Sequence, residues 1–440
     1  MLLAFSGAAQ AQDEAADPFR LFEQGDLPGA IAAAEDSLSR DPDNPHLWGV
    51  LAEAHARLAR NMEAAEAFAR AASLESDAPR RGYYLRARTL QLAYAGRFDE
   101  AQRVLVTAMA DPALGTRSSL DWASVAIAAQ DDAAAQDILS DETLYGGFTR
   151  QGALDAGYSA KRMGLDARAI RFFELGLALD TTEVEPLSPA QRDAIRREIR
   201  ELRRTWSFIL QASYTTAERP LGLSAIPLGE ERAWQTGAEL SRRLGGWRNG
   251  KPFSVFARAY HSRASSDEAP ARDVTQGWLG VRYKPLATLN LNLEGSKLVA
   301  LDDQGLDDWS ARALVSAGQG IERPIGRSSW PYLHAYGDIS YLFESDVAYA
   351  LAEARGGYGF AIADEATTVT PYLVARASLD TGRLQGEALG AGAGISLRHW
   401  FDESETVAYR GFIDLDIQAR ERLAGDRRAS GVLVSVTVGR

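Results

Sequence analysis

A chain of 440 residues with a formal net charge of -12 and no cysteine has room for two or three domains, and it excludes disulfides, a thiolate nucleophile and Cys-ligated metal. The acidic balance argues against a nucleic-acid partner, because phosphate recognition needs clustered Lys and Arg. No run reaches the ~18 apolar residues that a membrane helix needs, which leaves a β-barrel open, since its polar lumen face dilutes the average hydropathy.

The N-terminus, MLLAFSGAAQAQDEA, carries an apolar stretch, small residues and an Ala9, Gln10, Ala11 step of the type that precedes secretory cleavage. Residues 1–11 are therefore expected to be a signal-peptide remnant whose start lies too far downstream, with a mature chain from Gln12. From 17 to 182 the apolar residues follow helical spacing and repeat. Trp48, Leu51, Ala52, His55, Ala64, Phe68 and Ala71 fall at tetratricopeptide spacings, with Ala52 and His55 standing in for the usual Gly and Tyr. Ala30 lies one repeat length before Ala64, and Pro42 closes that helix pair. A later copy places Gly157, Ala169, Phe173 and Gly176 at the small and aromatic packing positions, and Ala101, Leu105 and Ala108 mark a unit between. Four or five helix pairs are expected, stacked into a short periplasmic solenoid whose groove takes a peptide or protein partner.

Residues 183–205 hold a linker helix, PLSPAQRDAIRREIRELRR, Pro-initiated and strongly charged, with Ile195, Ile199 and Leu202 as a narrow apolar stripe. From 206 to 440 the pattern switches to period two. In LNLNLEGS, Leu289, Leu291 and Leu293 oppose Asn290, Asn292 and Glu294; in TQGWLGVRYK, Leu279, Val281 and Tyr283 oppose Arg282 and Lys284. Successive strand side chains point to opposite faces, so each segment has an apolar and a polar side. Twelve such segments, RTWSFILQASYTT to SGVLVSVTVGR, have the ~9–11 residues that a tilted membrane strand needs. The expected architecture is thus two-part: an N-terminal α-solenoid of tetratricopeptide repeats, then a 12-stranded antiparallel transmembrane β-barrel in outer-membrane lipid. Trp206, Tyr214, Trp234, Trp278, Trp330 and Trp400 at strand ends read as aromatic girdles.

The lumen face gathers Glu239, Arg258, Arg282, Glu294, Arg312, Asp338, Glu353, Arg355, Arg376, Arg398, Asp414 and Asp416. Opposite charges across a narrow barrel form a structural ion network first. Tyr332, His334, Tyr336 and Asp338 alternate on one lumen face, with Tyr372 and Arg376 on a later strand. Aromatic faces with hydrogen-bonding tips suit a polysaccharide. Of five histidines only His334 points inward, and no compact serine motif accompanies it. No P-loop, dinucleotide fingerprint or metal-spaced set is present, so neither an enzyme nor a cofactor is expected. The glycines of LGAGAGISL fall on the lumen face and relieve crowding there.

The segment KPLATLNLNLEGSKLVALDDQGLDDWSARALVSAGQG, with Lys284, Pro285, Leu286, Asp308, Trp309 and Arg312, resembles the C-terminal domain of the bacteriophage adsorption protein A (NfrA) family, and the resemblance spans 206–440. It implies an outer-membrane protein that acts with an inner-membrane glycosyltransferase in making or exporting a surface polysaccharide, and that a phage can adsorb to. The repeat region is much shorter than the family's. The competing expectations are a diffusion porin or a structural envelope scaffold using the repeats for protein binding, and, third, an outer-membrane hydrolase.

Overall fold

The computed structural model describes residues 17–116, 119–182, 185–216, 232–265, 272–362, 366–382 and 386–440. The expected signal segment, residues 1–11, lies outside them. The chain forms two compact units that meet in sequence between Met163 and Gly164.

The first unit is helical: α1 (Pro18–Glu23), α2 (Leu27–Arg40), α3 (Pro45–Arg57), α4 (Asn61–Leu74), α5 (Ala78–Tyr94), α6 (Phe98–Met109), α7 (Leu120–Ala128), α8 (Asp132–Ile138) and α9 (Arg150–Arg162). Asp17, Asp26, Asn44 and Asp77 each accept a backbone N–H at a helix start, and a proline sits in the first turn behind each of them. Small side chains let the helices close up: Ala30, Ala34, Leu51, Ala52, Ala64, Phe68 and Ala71 are buried in one core with Tyr84. At Gly49 a Cβ would stand 2.8 Å from the Tyr84 hydroxyl, so only hydrogen fits between α3 and α5. Trp48 is half-buried and donates its indole N–H to the Pro42 carbonyl at 2.8 Å, fixing the turn between α2 and α3. Ala65, Leu92, Ala101, Val104 and Ala129 carry the core onward.

The second unit holds α10 (Asp166–Leu179), α11 (Pro189–Arg203) and twelve strands: β1 (Trp206–Thr215), β2 (Arg232–Leu244), β3 (Phe253–Ser265), β4 (Arg272–Tyr283), β5 (Asn290–Ala300), β6 (Asp308–Gln319), β7 (Ser329–Leu342), β8 (Val347–Ile362), β9 (Thr367–Asp380), β10 (Gly386–Phe401), β11 (Gly411–Gly425) and β12 (Gly431–Gly439). Each strand pairs antiparallel with its sequence neighbours, and β1 closes on β12 from Ile209↔Gly439 to Thr215↔Leu433, giving one closed barrel. The alternation expected from the sequence sets the faces. Leu279, Val281, Leu373, Ile413 and Ile417 are exposed on the outside, Leu373 at 71%, while the ionised residues turn inward.

Two aromatic rings bound the apolar outside. Trp206, Tyr283, Tyr358 and Phe360 mark the end where the chain enters from α11; Trp234, Trp309, Tyr341 and Phe343 mark the far end, where Tyr214 stacks on Trp234 with centroids 4.9 Å apart. Trp206 and Tyr214 are separated along β1 by a rise of about 26 Å at ~3.3 Å per residue; a strand tilt of roughly 40° turns this into about 20 Å along the barrel axis, a little less than the ~25 Å apolar band of a membrane barrel.

Three of the expected girdle residues lie elsewhere: Trp278, Trp330 and Trp400 are buried on the lumen face. Strand parity, not closeness to a strand end, decides the side, and each shares its parity with an inward arginine or tyrosine (Arg282, Tyr332, Arg398). Glycines make room for these rings. A Cβ on Gly359 would stand 2.5 Å from the Trp330 ring, and one on Gly394 would stand 2.5 Å from that of Tyr372; the partners lie directly across the ladder. A second correction concerns 406–410, which the alternation of TVAYR extends into strand β11. That segment is instead a connection in which Val407 and Ala408 are buried and the Ala408 N–H reaches the Arg196 carbonyl of α11 at 3.3 Å. Burial against a helix leaves the same apolar signature as a strand.

Candidate functional site: the barrel lumen and its helix-side mouth

Alternation brings the inward charges onto neighbouring strands, and the register then pairs them. On β2 to β7, Glu239 faces Arg258 across the ladder, and Arg282, Glu294 and Arg312 run side by side. Arg258 lies 2.7 Å from Glu239 and 3.4 Å from Glu294. Arg282 bridges the same carboxylates at 2.9 and 2.6 Å. Arg312 donates its Nε to Asp338 at 2.9 Å, and Tyr336 donates its hydroxyl to the same carboxylate at 2.8 Å. Side-chain exposure is 3% for Arg258 and Arg312, 2% for Glu294 and 0% for Asp338. Each charge is held by an opposite one, as burial requires.

A second network occupies β8 to β11. Arg355 sits between Glu353 at 2.7 Å and Asp416 at 3.2 Å, with its guanidinium 4.7 Å over the Tyr372 ring. Tyr372 donates its hydroxyl to Asp416 at 2.5 Å. Arg376 lies 3.6 Å from Glu353, and Arg398 lies 3.3 Å from Asp414 while covering the Trp400 and Phe412 rings. Tyr332 approaches Tyr372 with centroids 6.3 Å apart. The inward residues of β7 thus divide. Tyr336 and Asp338 join the first network, and Tyr332 meets the second through Tyr372; His334 lies across the ladder from Arg355. His261 and His399 face outward on threonine hydroxyls, each at 3.0 Å.

The helix-side mouth carries a feature that helical spacing alone did not reveal. A capping box of Ser188 and Gln191 starts α11, and its arginines then grip the barrel rim. Arg196 meets Glu403 at 3.1 Å and the Val407 carbonyl at 3.1 Å. Arg197 pairs with Glu322 and donates to the Arg323 carbonyl at 2.9 Å. Arg200 holds Glu322 at 2.9 Å and the Tyr409 carbonyl at 3.2 Å. At the helix end Arg243 of β2 donates to the Glu201 carbonyl at 2.5 Å. Contact therefore falls on β2, on the β6–β7 connection and on the β10–β11 connection, three places spread around the twelve-strand circle, so α11 lies across the mouth. Asp166 of α10 accepts the Trp247 N–H at 2.7 Å on the same end. Burial is the main cause that raises the Tyr409 hydroxyl above its ordinary range.

Two joined spaces lie beneath α11. A vestibule of about 500 Å³ is lined by Ser207, Ser241 and Ser254 and by the charged Glu201, Arg204, Arg243, Lys284 and Glu322. Arg282, Asn290 and Asn292 also border an inner chamber of about 350 Å³, which adds Gln211, Ser316 and Thr437 and ends on Glu239, Arg258 and Tyr336. An apolar recess of about 680 Å³ lies on the outside over Ala313, Gly337, Ala352, Ala377 and Leu389; small side chains there make a dent in the apolar belt.

In the helical unit Leu51, Ala52, Ala64, Phe68 and Gly157 are buried and Trp48 is half-buried; Ala169 and Phe173 are buried on α10 of the second unit. His55 borders a groove of about 540 Å³ with Trp48, Glu66, Arg70 and Arg88, and burial lowers its pKa.

Among family models, the one described as bacteriophage N adsorption protein A C-term matches residues 267–436, and a tetratricopeptide repeat model matches 21–89. Solved structures similar to parts of the chain include MamA from Desulfovibrio magneticus RS-1 (14% identity, 38% of this chain, 93% of that one, TM-score 0.31). They also include pilF of Pseudomonas aeruginosa (17%, 37% and 72%, TM-score 0.30). An outer membrane channel from Pseudomonas putida F1 matches at 9% identity over 54% of this chain and 94% of that one, with a TM-score of 0.32. A comparison with curated proteins finds no match.

Proposed function

We propose, for a chain that joins tetratricopeptide repeats to a C-terminal domain of the bacteriophage N adsorption protein A family, that it sits in the bacterial outer membrane and serves the assembly or export of a surface polysaccharide. The repeats then lie in the periplasm, where they dock an inner-membrane glycosyltransferase or another envelope protein, and the far-end connections offer a phage its adsorption surface. The observation that carries this is the closed barrel with an apolar outside bounded by two aromatic rings, most of which matches the C-terminal family of a bacteriophage adsorption protein. Deleting the gene is expected to abolish the surface polymer and phage adsorption together, and restoring the intact chain to recover both. A deletion strain with unchanged polymer and unchanged adsorption would overturn the proposal.

One observation favours a second reading, an envelope scaffold without transport. Arg312, Asp338, Glu294 and Arg376 are buried within paired networks, and a wall so engaged does not offer free charges to a passing solute. Under the export proposal Tyr332, His334, Tyr336, Tyr372, Glu353 and Arg398 line the route only after those pairs rearrange. Purified protein in a planar bilayer is accordingly expected to conduct far less than an open diffusion porin. Large, steady conductance would instead support the porin.

A further inference from the structure

The inner chamber and vestibule have a chemistry unlike the rest of the lumen. Around Asp338 and Asp416 the inward charges are matched pair by pair; in the inner chamber amides and hydroxyls stand with the apolar Ile209 and Leu314, and in the vestibule serines stand among Glu201, Arg204, Arg243, Lys284 and Glu322. Asn290 and Asn292 stand on β5, Ser316 on β6, and Gln211 and Thr437 on β1 and β12 on the opposite wall. Ser207, Ser241 and Ser254 continue the polar lining towards the mouth. The local hydrogen bonds use only part of this capacity. Asn290 donates to Ser316 at 2.7 Å, Asn292 donates to Asn290 at 3.2 Å, and Gln211 reaches Thr437 at 3.5 Å. A side-chain amide carries two donor hydrogens and two acceptor lone pairs. The amide N–H and carbonyl valences not used in these bonds border the cavity. The floor adds the Tyr336 ring and Arg282, whose guanidinium is already committed to Glu239 and Glu294, so it presents polarity without a free charge.

A space with donors and acceptors on opposing walls, an aromatic floor and neutralised charge fits a chain of uncharged hydroxyls with apolar ring faces. We propose that this chamber is a binding site for a neutral glycan segment, entered from the helix-side mouth beneath the C-terminal turn of α11. The inference rests on the polysaccharide proposal above and adds where the polymer is held and by which residues. Glycan rings lie between the β5–β6 wall and the β12–β1 wall, and Asn290, Asn292 and Gln211 exchange hydrogen bonds with their hydroxyls. The networked arginines below end the chamber.

The chain lacks cysteine, which permits a direct test on the full-length protein in detergent. A single Leu314→Cys variant, which lines the chamber and makes none of the proposed hydrogen bonds, is labelled with a maleimide in the presence and absence of cellotetraose and chitotetraose. One of these neutral tetrasaccharides is expected to slow labelling about tenfold, and calorimetry on the unmodified protein is expected to detect its binding. Asn290→Leu with Asn292→Leu, and separately Gln211→Leu, should each weaken that binding about tenfold, the scale of losing one or two hydrogen bonds. Heat-modifiable migration shows that each variant is a folded barrel. Labelling that neither tetrasaccharide slows, or binding equal in all the variants, overturns the chamber. If the deletion strain loses its polymer while cells carrying Asn290→Leu with Asn292→Leu make it normally, the chamber falls and the broader function stands. If the deletion strain keeps its polymer, the broader function falls.

Discussion

The helical unit and the barrel use the same residue types with opposite meanings. In the helical unit alanine is core: Ala30, Ala34, Ala52, Ala64, Ala71 and Ala101 are fully buried where helices meet. In the barrel Ala352, Ala354, Ala375 and Ala377 face outward with Leu373, and the buried places hold arginine, aspartate and glutamate beside an aromatic and leucine cluster of Phe256, Tyr260, Trp278 and Leu298. The first unit hides apolar surface from water. The second turns much of it to the outside and hides charge. Hydrophobic burial drives folding in the first case; in the second, a closed hydrogen-bonded ladder and paired inward charges join an inner apolar cluster in carrying the structure. Composition averaged over the chain cancels these two regimes, which is why the chain looks unremarkable as a whole and distinct in each half.

The largest effects should come from breaking what each unit buries. Asp338→Ala takes from Arg312, in a site that is 3% exposed, its nearest carboxylate and leaves it Glu294 at 3.8 Å; removing one partner of a buried pair costs about 3–5 kcal/mol. Urea unfolding of the barrel in detergent micelles reads this. Replacing both partners, Arg312→Met with Asp338→Leu, should recover most of the loss; no recovery would mean that the pair does more than neutralise itself. Phe68→Ala empties the helical core at a residue 1% exposed, with a cost of about 3–5 kcal/mol. Helical circular dichroism should report it while the barrel's heat-modifiable band stays unchanged.

A smaller pair of changes tests the inversion itself. Leu373→Arg, at the middle of β9 on the outside, should cost about 2–4 kcal/mol if that face lies at the bilayer midplane. Leu373→Ala should cost under about 1 kcal/mol, since lipid covers the space that the side chain leaves. If arginine is tolerated there in refolding from urea into lipid vesicles, the outer face does not meet lipid, and the membrane assignment goes with it.

Much of this contrast was legible in the sequence because it is local. Period-two alternation in TQGWLGVRYK or GFIDLDIQ fixes which side chains share a face, and the helical repeats announce themselves by the spacing of Trp48, Leu51, Ala64 and Phe68. What the sequence withheld depends on neighbours far along the chain. Trp278, Trp330 and Trp400 sit near strand ends like girdle residues, yet parity turns them inward, and parity was the better guide. Tyr372 over Gly394 joins two strands through a register that neither segment encodes alone. Asn290 and Asn292 were visible as the polar side of LNLNLEGS, but the opposing Gln211 and Thr437, which make that side a chamber, lie on strands that meet only when the barrel closes.

The arginine-rich face of α11 was legible as a charged stripe and illegible as a rim clamp, since its partners Glu322 and Glu403 are more than a hundred residues away. Its N-terminus gives the finest test of how the helix is held. Ser188 accepts the Gln191 N–H at 3.3 Å, and the Gln191 side chain accepts the Ser188 N–H at 2.9 Å. Ser188→Ala removes the first bond and should cost about 1 kcal/mol of local stability. Hydrogen exchange should then quicken about fivefold at the amides of 189–192, with the amides of β1 to β12 unchanged. Exchange that stays slow in the first turn would mean that Arg196, Arg197 and Arg200 hold the helix without its cap. In that case the grip on the rim, rather than the helix's own start signal, decides whether α11 stays across the mouth.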